Sequence, residues 1–271
     1  MSARTTALCA LIAVRRQGAW SDGILKEYMQ RDRLERRDAA LAATLTYGVM
    51  QNRMLLDHYL EQVVSGGLSR LQPAMLDILR LGAYQILLLD KIPDSAAVNE
   101  AVEQTKRYVN QKAAGMTNGA LRALSRKKGS LEEPKDLAIT YSHPQELVDL
   151  LTDGVGESQI EPFLRADNEP APTCLQINPL LSDPDEVERA LTEQDILFRK
   201  HPWLPGCYLV TGTGNLARLE LFTSGKVYVQ DASAKLAAMA AGVQPGMRVL
   251  DTCAAPGGKS FALAMEMKNE G

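Results

Sequence analysis

The stretch that most constrains this chain is Met247–Arg248–Val249–Leu250–Asp251–Thr252–Cys253–Ala254–Ala255–Pro256–Gly257–Gly258–Lys259–Ser260. An apolar pair, Val249 and Leu250, ends at Asp251 and meets a small-residue turn containing Gly257 and Gly258. Behind the turn, Phe261, Ala262, Leu263, Ala264 and Met265 predict a helix. Strand, tight glycine turn and helix open a doubly wound α/β fold. In such a fold the backbone approaches a ligand closely and the first N–H groups of the helix face it. The glycines lack the spacing of the dinucleotide fingerprint, so the turn itself does not specify a dinucleotide.

Length and composition bound the rest. A chain of 271 residues builds one to three domains, and 45% hydrophobic with 23% charged residues is ordinary for a soluble globular protein. No apolar run reaches the ~20 residues of a membrane span. The run Ala7–Val14 lies between Arg4 and the pair Arg15–Arg16, which predicts an amphipathic helix, not a signal peptide. Cys9, Cys174, Cys207 and Cys253 have no paired spacing, so neither a disulfide framework nor a metal site is expected. A cytoplasmic location follows as the default. The net charge of −3 hides an asymmetry: residues 1–130 hold 19 Lys and Arg against 12 Asp and Glu, the remainder 11 against 21. A basic half beside an acidic half fits a polyanionic partner for the first, although solvated helix faces would give the same count.

The first half reads as helix throughout. Ala7, Leu8, Leu11 and Val14 repeat at helical spacing, and Leu41, Leu45, Tyr47, Val49 and Met50 follow a mixed-charge run. Pro73 suits a first helical position, and the segment through Leu89 is apolar almost all round, which predicts the buried central helix. After Lys91–Ile92–Pro93, Asp94 or Ser95 can cap a helix carrying Ala97, Val98, Ala101 and Val102. A basic helix with Leu121, Arg122, Leu124 and Arg126–Lys128 closes the bundle, and residues 129–134 read as a linker.

Beyond it, helical segments run to Pro170 and Pro172. Thr173–Asn178, Ile196–Phe198, Cys207–Val210 and Val227–Val229 then predict short strands. Asp183–Pro184–Asp185–Glu186 starts a helix with a cap, a first-position proline and early acids. Gln230–Asp231–Ala232–Ser233 starts another, capped by Asp231 or Ser233. His58, His143 and His201 have no partners at ligand or triad spacing and are read as structural or surface residues.

Three resemblances attach to these residues. Asp251–Lys259 resembles the first cofactor motif of S-adenosylmethionine-dependent RNA cytosine-C5 methyltransferases. Leu81–Gln85, Ile92–Val102 and Thr117–Arg122 resemble NusB-like RNA-binding domains, in which Asn99, Glu100 and Asn118 are read mainly as helix cross-links. The strand-rich middle resembles the RNA-binding insert of the same methyltransferases, and Gln230–Ser233 the segment that closes one side of their cofactor pocket.

The order of these parts resembles that of the RsmB/Sun family, which methylates a cytosine in small-subunit (16S) ribosomal RNA. The resemblance implies a NusB-like bundle at 1–130, a helical connector at 131–170, an α+β unit at 171–230 and the start of a Rossmann-like methyltransferase domain at 231–271. It also implies S-adenosyl-L-methionine held by Cys253, Ala254, Ala255, Pro256, Gly257, Gly258 and Lys259, with ribosomal RNA as partner and a monomeric state.

It places Gln176 where the family has a basic residue, which weakens a phosphate contact there. Cys253 would be a pocket residue. The nucleophilic Cys, in an Asp-x-Pro-Cys string, and the ribose-binding acid are expected beyond Gly271. The chain as written is therefore expected to be inactive and to bind cofactor weakly or not at all. The competing expectation is a non-catalytic RNA-binding or antitermination-type module.

Overall fold

A computed structural model describes residues 1–18, 20–211, 216 and 219–271. These form two compact units, Met1–Glu169 and Pro170–Gly271.

The first unit is all helical. Helix α1 (Ala3–Gln17) is capped by Ser2, whose hydroxyl accepts from the Thr5 N–H. It is followed by α2 (Ser21–Arg31), α3 (Arg36–Gln51) and α4 (Arg53–Glu61). Helix α5 (Pro73–Leu88) begins with its proline in the first turn, and α6 (Asp94–Tyr108) and α7 (Ala114–Lys127) complete the bundle. Helix α5 is central as its apolar circumference demands: Ile78, Leu79 and Ile86 are fully buried, and it packs on α1, α3, α4, α6 and α7.

Two details differ from expectation. Neither Asp94 nor Ser95 caps α6; Pro93 stands at the cap position, and the Asp94 carboxylate accepts instead from the Ser125 hydroxyl at 2.5 Å, tying α6 to α7. Residues 129–134 are also not a free tether. The Glu132 carbonyl accepts from Gln62 Nε2 at 3.0 Å and lies 2.8 Å from His58 Nε2, while the Tyr59 hydroxyl donates to the Glu133 carboxylate. Short helices α8 (Leu137–Thr140), α9 (Gln145–Val155) and α10 (Ile160–Asp167) then pack around Ala138, Val148, Ile160 and Leu164 within this same unit.

The second unit runs β1 (Thr173–Ile177), α11 (Pro184–Glu193), β2 (Leu197–Lys200), β3 (Cys207–Thr211), α12 (Glu220–Thr223) and β4 (Val227–Val229). Helices α13 (Ala232–Ala240) and α14 (Gly258–Glu266) follow. The four strands form one antiparallel sheet in the order β2-β3-β1-β4. Alternation decides its two faces. Leu175, Ile177, Tyr208, Val210 and Val227 point to α11 and α12 and bury Val187, Leu191, Leu219 and Leu221. Cys174, Gln176, Cys207 and Leu209 occupy the other face.

The expected strand at Val249–Leu250 does not form. Leu250 is 87% exposed, and the segment joins no ladder among the described residues. A strand exists only through a paired neighbour, so the apolar pair remains an unpaired lead-in to the turn.

Candidate functional site

The glycine turn is built around one carboxylate. Asp251 Oδ1 accepts from the Cys253 N–H at 3.0 Å, and Oδ2 accepts from the Ser260 hydroxyl at 2.6 Å, so the acid clasps both ends of the loop. Those bonds, with Ser260 the larger contributor, hold the Asp251 carboxyl below its ordinary range. A group lowered in the folded state stabilises it fully above the ordinary carboxylate range and loses that contribution as pH falls through the lowered value. We therefore expect the Cys253 amide to exchange below its intrinsic rate at neutral pH and to lose that protection factor in acid, and D251N to exchange at the intrinsic rate throughout. Equal protection in both proteins at neutral pH would remove Asp251 from this role.

Gly257 supplies the bend. Its φ is +110°, a backbone region closed to most side chains, and a Cβ there would lie 2.8 Å from the Phe261 ring. It occupies the cap position of α14, where no side chain bonds the helix. The Phe261 N–H already reaches the Gly257 carbonyl at 2.8 Å, whereas the N–H groups of the first turn have no intrahelical partner. Cys253, Ala254, Ala255, Pro256 and Lys259 are exposed, and Gly257 and Gly258 half-buried. The Ala255–Pro256 peptide is cis. A shallow pocket of about 230 Å³ opens beside this turn, with Val249, Asp251, Ser260, Leu263 and Met267 in its wall.

The four-stranded sheet backs the same turn through Gln176 and the Gln230–Ser233 segment. Gln176 is 1% exposed, and its Nε2 donates to the Gln230 carbonyl at 3.1 Å and contacts Cys207 Sγ at 3.1 Å. Gln176 is thus an internal tie that cannot reach a phosphate. The Gln230 side chain in turn lies against the turn, its Nε2 3.3 Å from where a Cβ on Gly258 would sit. Asp231, not Ser233, caps α13 by accepting from the Ser233 N–H at 2.8 Å. Lys235, 8% exposed, bonds Glu266 at 3.0 Å and joins α13 to α14.

Of the three histidines, His143 is buried, with ring nitrogens 2.7 Å from the Tyr141 carbonyl and 3.0 Å from Asp167 Oδ2. His58 holds the 129–134 loop, and His201 packs edge-on to Trp203 at 4.7 Å. Glu100 on α6 accepts from Ser2 and cross-links α6 to the start of α1, whereas Asn118 accepts from Arg122 within α7 and joins no second helix. Among the described residues no group of His, Cys, Asp or Glu is arranged to hold a metal ion, and no helix is long and apolar enough to cross a membrane.

Comparison with known families assigns both halves. Residues 1–126 match the NusB family, and residues 143–216 match the Methyltr_RsmF/B-like, ferredoxin-like domain. Along its whole length the chain is 34% identical to the probable ribosomal RNA small subunit methyltransferase B of Bacillus subtilis (strain 168), covering 61% of that protein. It is 32% identical to the protein of the same description from Synechocystis sp. (strain ATCC 27184 / PCC 6803 / Kazusa), again over all of this chain and 62% of the relative. The chain thus joins a NusB domain to an RsmF/B-like ferredoxin-like domain, and relatives similar to it along its whole length are named ribosomal RNA small subunit methyltransferase B. The chain spans about six-tenths of the length of these curated relatives. In fold it is similar to the crystal structure of PH0851, with a TM-score of 0.70 at 23% identity, covering 98% of this chain and 62% of that one.

Proposed function

We propose that this RsmB-type chain acts in S-adenosyl-L-methionine-dependent methylation of carbon-5 of a cytosine in small-subunit (16S) ribosomal RNA. The observation that carries the proposal is the uncapped glycine turn at the N-terminus of α14. Its fit to the cofactor can be argued from the chain itself. Gly257 keeps open a cradle that a Cβ would fill, and the unbonded N–H groups of the first helical turn favour an anionic group such as the carboxylate of an amino acid. In this reading Cys253, Ala254, Ala255, Pro256, Gly257 and Gly258 line the amino-acid end of the cofactor, and Lys259 lies close by. When bound, the cofactor supplies a methyl group activated by a sulfonium.

Asp251 and the Gln176–Gln230 tie hold the turn in the shape that binding requires. Cys253 is assigned to the pocket wall. Its N–H is committed to Asp251, and the thiolate addition to cytosine C6 that makes C5 nucleophilic is assigned to no residue between Met1 and Gly271. The target base has to be unstacked to be reached, which fits a single-stranded or opened RNA segment. The basic helical half is assigned to holding that RNA, in the cytoplasm, with the protein acting as a monomer.

The test is transfer of a labelled methyl group from S-adenosylmethionine to unmethylated small-subunit ribosomal RNA by protein that carries this chain together with a nucleophilic Cys, with the modified atom mapped in the product. Label on cytosine C5 supports the proposal, and label elsewhere overturns it.

A further inference from the structure

We infer that the cleft between α1, α3, the start of α4 and α5 is a phosphate seat for single-stranded RNA; the inference rests on the proposal that this chain holds RNA. The cleft has a volume of about 460 Å³, with Leu11, Val14 and Met50 along its floor and Arg15, Arg53 and Arg80 at its rim. Two of the arginines are set in place from behind. Asp77, 5% exposed, takes the Arg15 Nε at 2.8 Å and lies 3.7 Å from an Arg80 Nη, while the Asp57 carboxylate grips Arg80 through two bonds of 2.6 and 2.7 Å. Arg53 is exposed and forms no ion pair among the described residues.

Fixing guanidiniums in advance removes much of the side-chain entropy that binding would otherwise cost. It leaves the Nη groups of Arg15 without a hydrogen-bond partner among the described residues. A planar fork of N–H donors matches phosphate oxygens better than it matches a point charge. The apolar floor next to that rim suits the face of an unstacked base, which a duplex does not present. The excess of basic residues over residues 1–130 gives this half of the chain the sign of charge that favours a polyanion over an isolated anion. RNA fits both the charge and the floor. An acidic peptide fits only the charge.

Arg53 gives the clean test, because it is exposed and unpaired among the described residues and its removal leaves the Asp77 and Asp57 bonds intact. A labelled single-stranded oligoribonucleotide is titrated with the full chain over a series of salt concentrations. Arg53→Gln should weaken binding several-fold and make the slope of log affinity against log salt shallower by about 1, because one fewer phosphate is neutralised. Arg53→Lys should restore part of the affinity. Lys112→Gln, which removes an exposed charge outside the cleft, should change neither.

An unchanged slope in Arg53→Gln, or an equal change in Lys112→Gln, overturns the inference while leaving RNA binding by the chain standing. If the unaltered chain shows no salt-dependent RNA binding, the proposal on which it rests fails with it. A polyglutamate peptide that binds the unaltered chain but not Arg53→Gln, with RNA binding indifferent to that change, would give the cleft to a protein partner and overturn it.

Discussion

Replacing Leu121 with alanine will lower the unfolding free energy of the helical unit by about 2–5 kcal/mol, the range for a fully buried leucine. Leu121 is 0% exposed on α7 and sits directly over Gly82 of α5, where a Cβ would come within 2.6 Å of Leu121 Cδ1. The two helices meet across a glycine because only hydrogen leaves room for that leucine. Truncation at Leu121 therefore opens a void over bare backbone, and Gly82 has no side chain to fill it. The reverse change alone, Gly82→Ala, overpacks the interface and should cost about 1–3 kcal/mol, less whatever helix propensity alanine returns. Together the two should cost much less than their sum, since the new methyl occupies part of the void. Urea unfolding of the four proteins measures the coupling. Strict additivity would mean that Leu121 and Gly82 do not share a packing site.

How far the sequence was legible depended on the range of the interaction. Helices announced by a repeating apolar stripe, and caps made by a residue's own neighbours, were readable: Pro73 opens α5, and Asp183 caps α11 by accepting from the Glu186 N–H. The four short strands were readable because their runs alternate or are densely apolar and end at turn residues. Features made across the fold were not. Asp94 has the local chemistry of a cap, yet Ser125, 31 positions away, takes its carboxylate. Residues 129–134 have linker composition, but Tyr59 and Gln62 secure them.

The candidate site divides in the same way. Its glycines and Asp251 stand in one contiguous string, so the loop could be anticipated; of its backing only the Gln230–Ser233 segment could, and that through the resemblance. Gln176 looks like a misplaced polar residue in an apolar strand until β3 and Gln230 close around it. Lys235 reads as a solvated helix position until Glu266 meets it. The lead-in Val249–Leu250 has strand composition, but composition supplies no partner strand, and Leu250 stays exposed.

Replacing Gly257 with alanine should remove the cofactor-binding capacity of the turn while leaving the helical unit as stable as before. Two costs act at this position, and they differ in kind. The added methyl would meet the Phe261 ring at 2.8 Å, but that ring is 64% exposed and can swing away. The backbone has no such escape. A φ of +110° is strained for alanine by about 1–3 kcal/mol, so the turn relaxes to another conformation. Relaxation redirects the N–H groups of Gly258, Lys259 and Ser260, on which anion binding at α14 depends. Since 1.4 kcal/mol corresponds to tenfold, S-adenosylhomocysteine affinity should fall by about tenfold or more in calorimetry on protein that carries this turn together with the rest of the cofactor site, the chain as written being expected to bind weakly. Phe261→Ala separates the two costs, because it removes the ring without touching φ and should keep most of the affinity. If Gly257→Ala bound as tightly as the unaltered protein, the cofactor would have to sit away from this turn. If Phe261→Ala reduced affinity as much as Gly257→Ala, the ring and not the backbone would be the part of the site that the ligand requires.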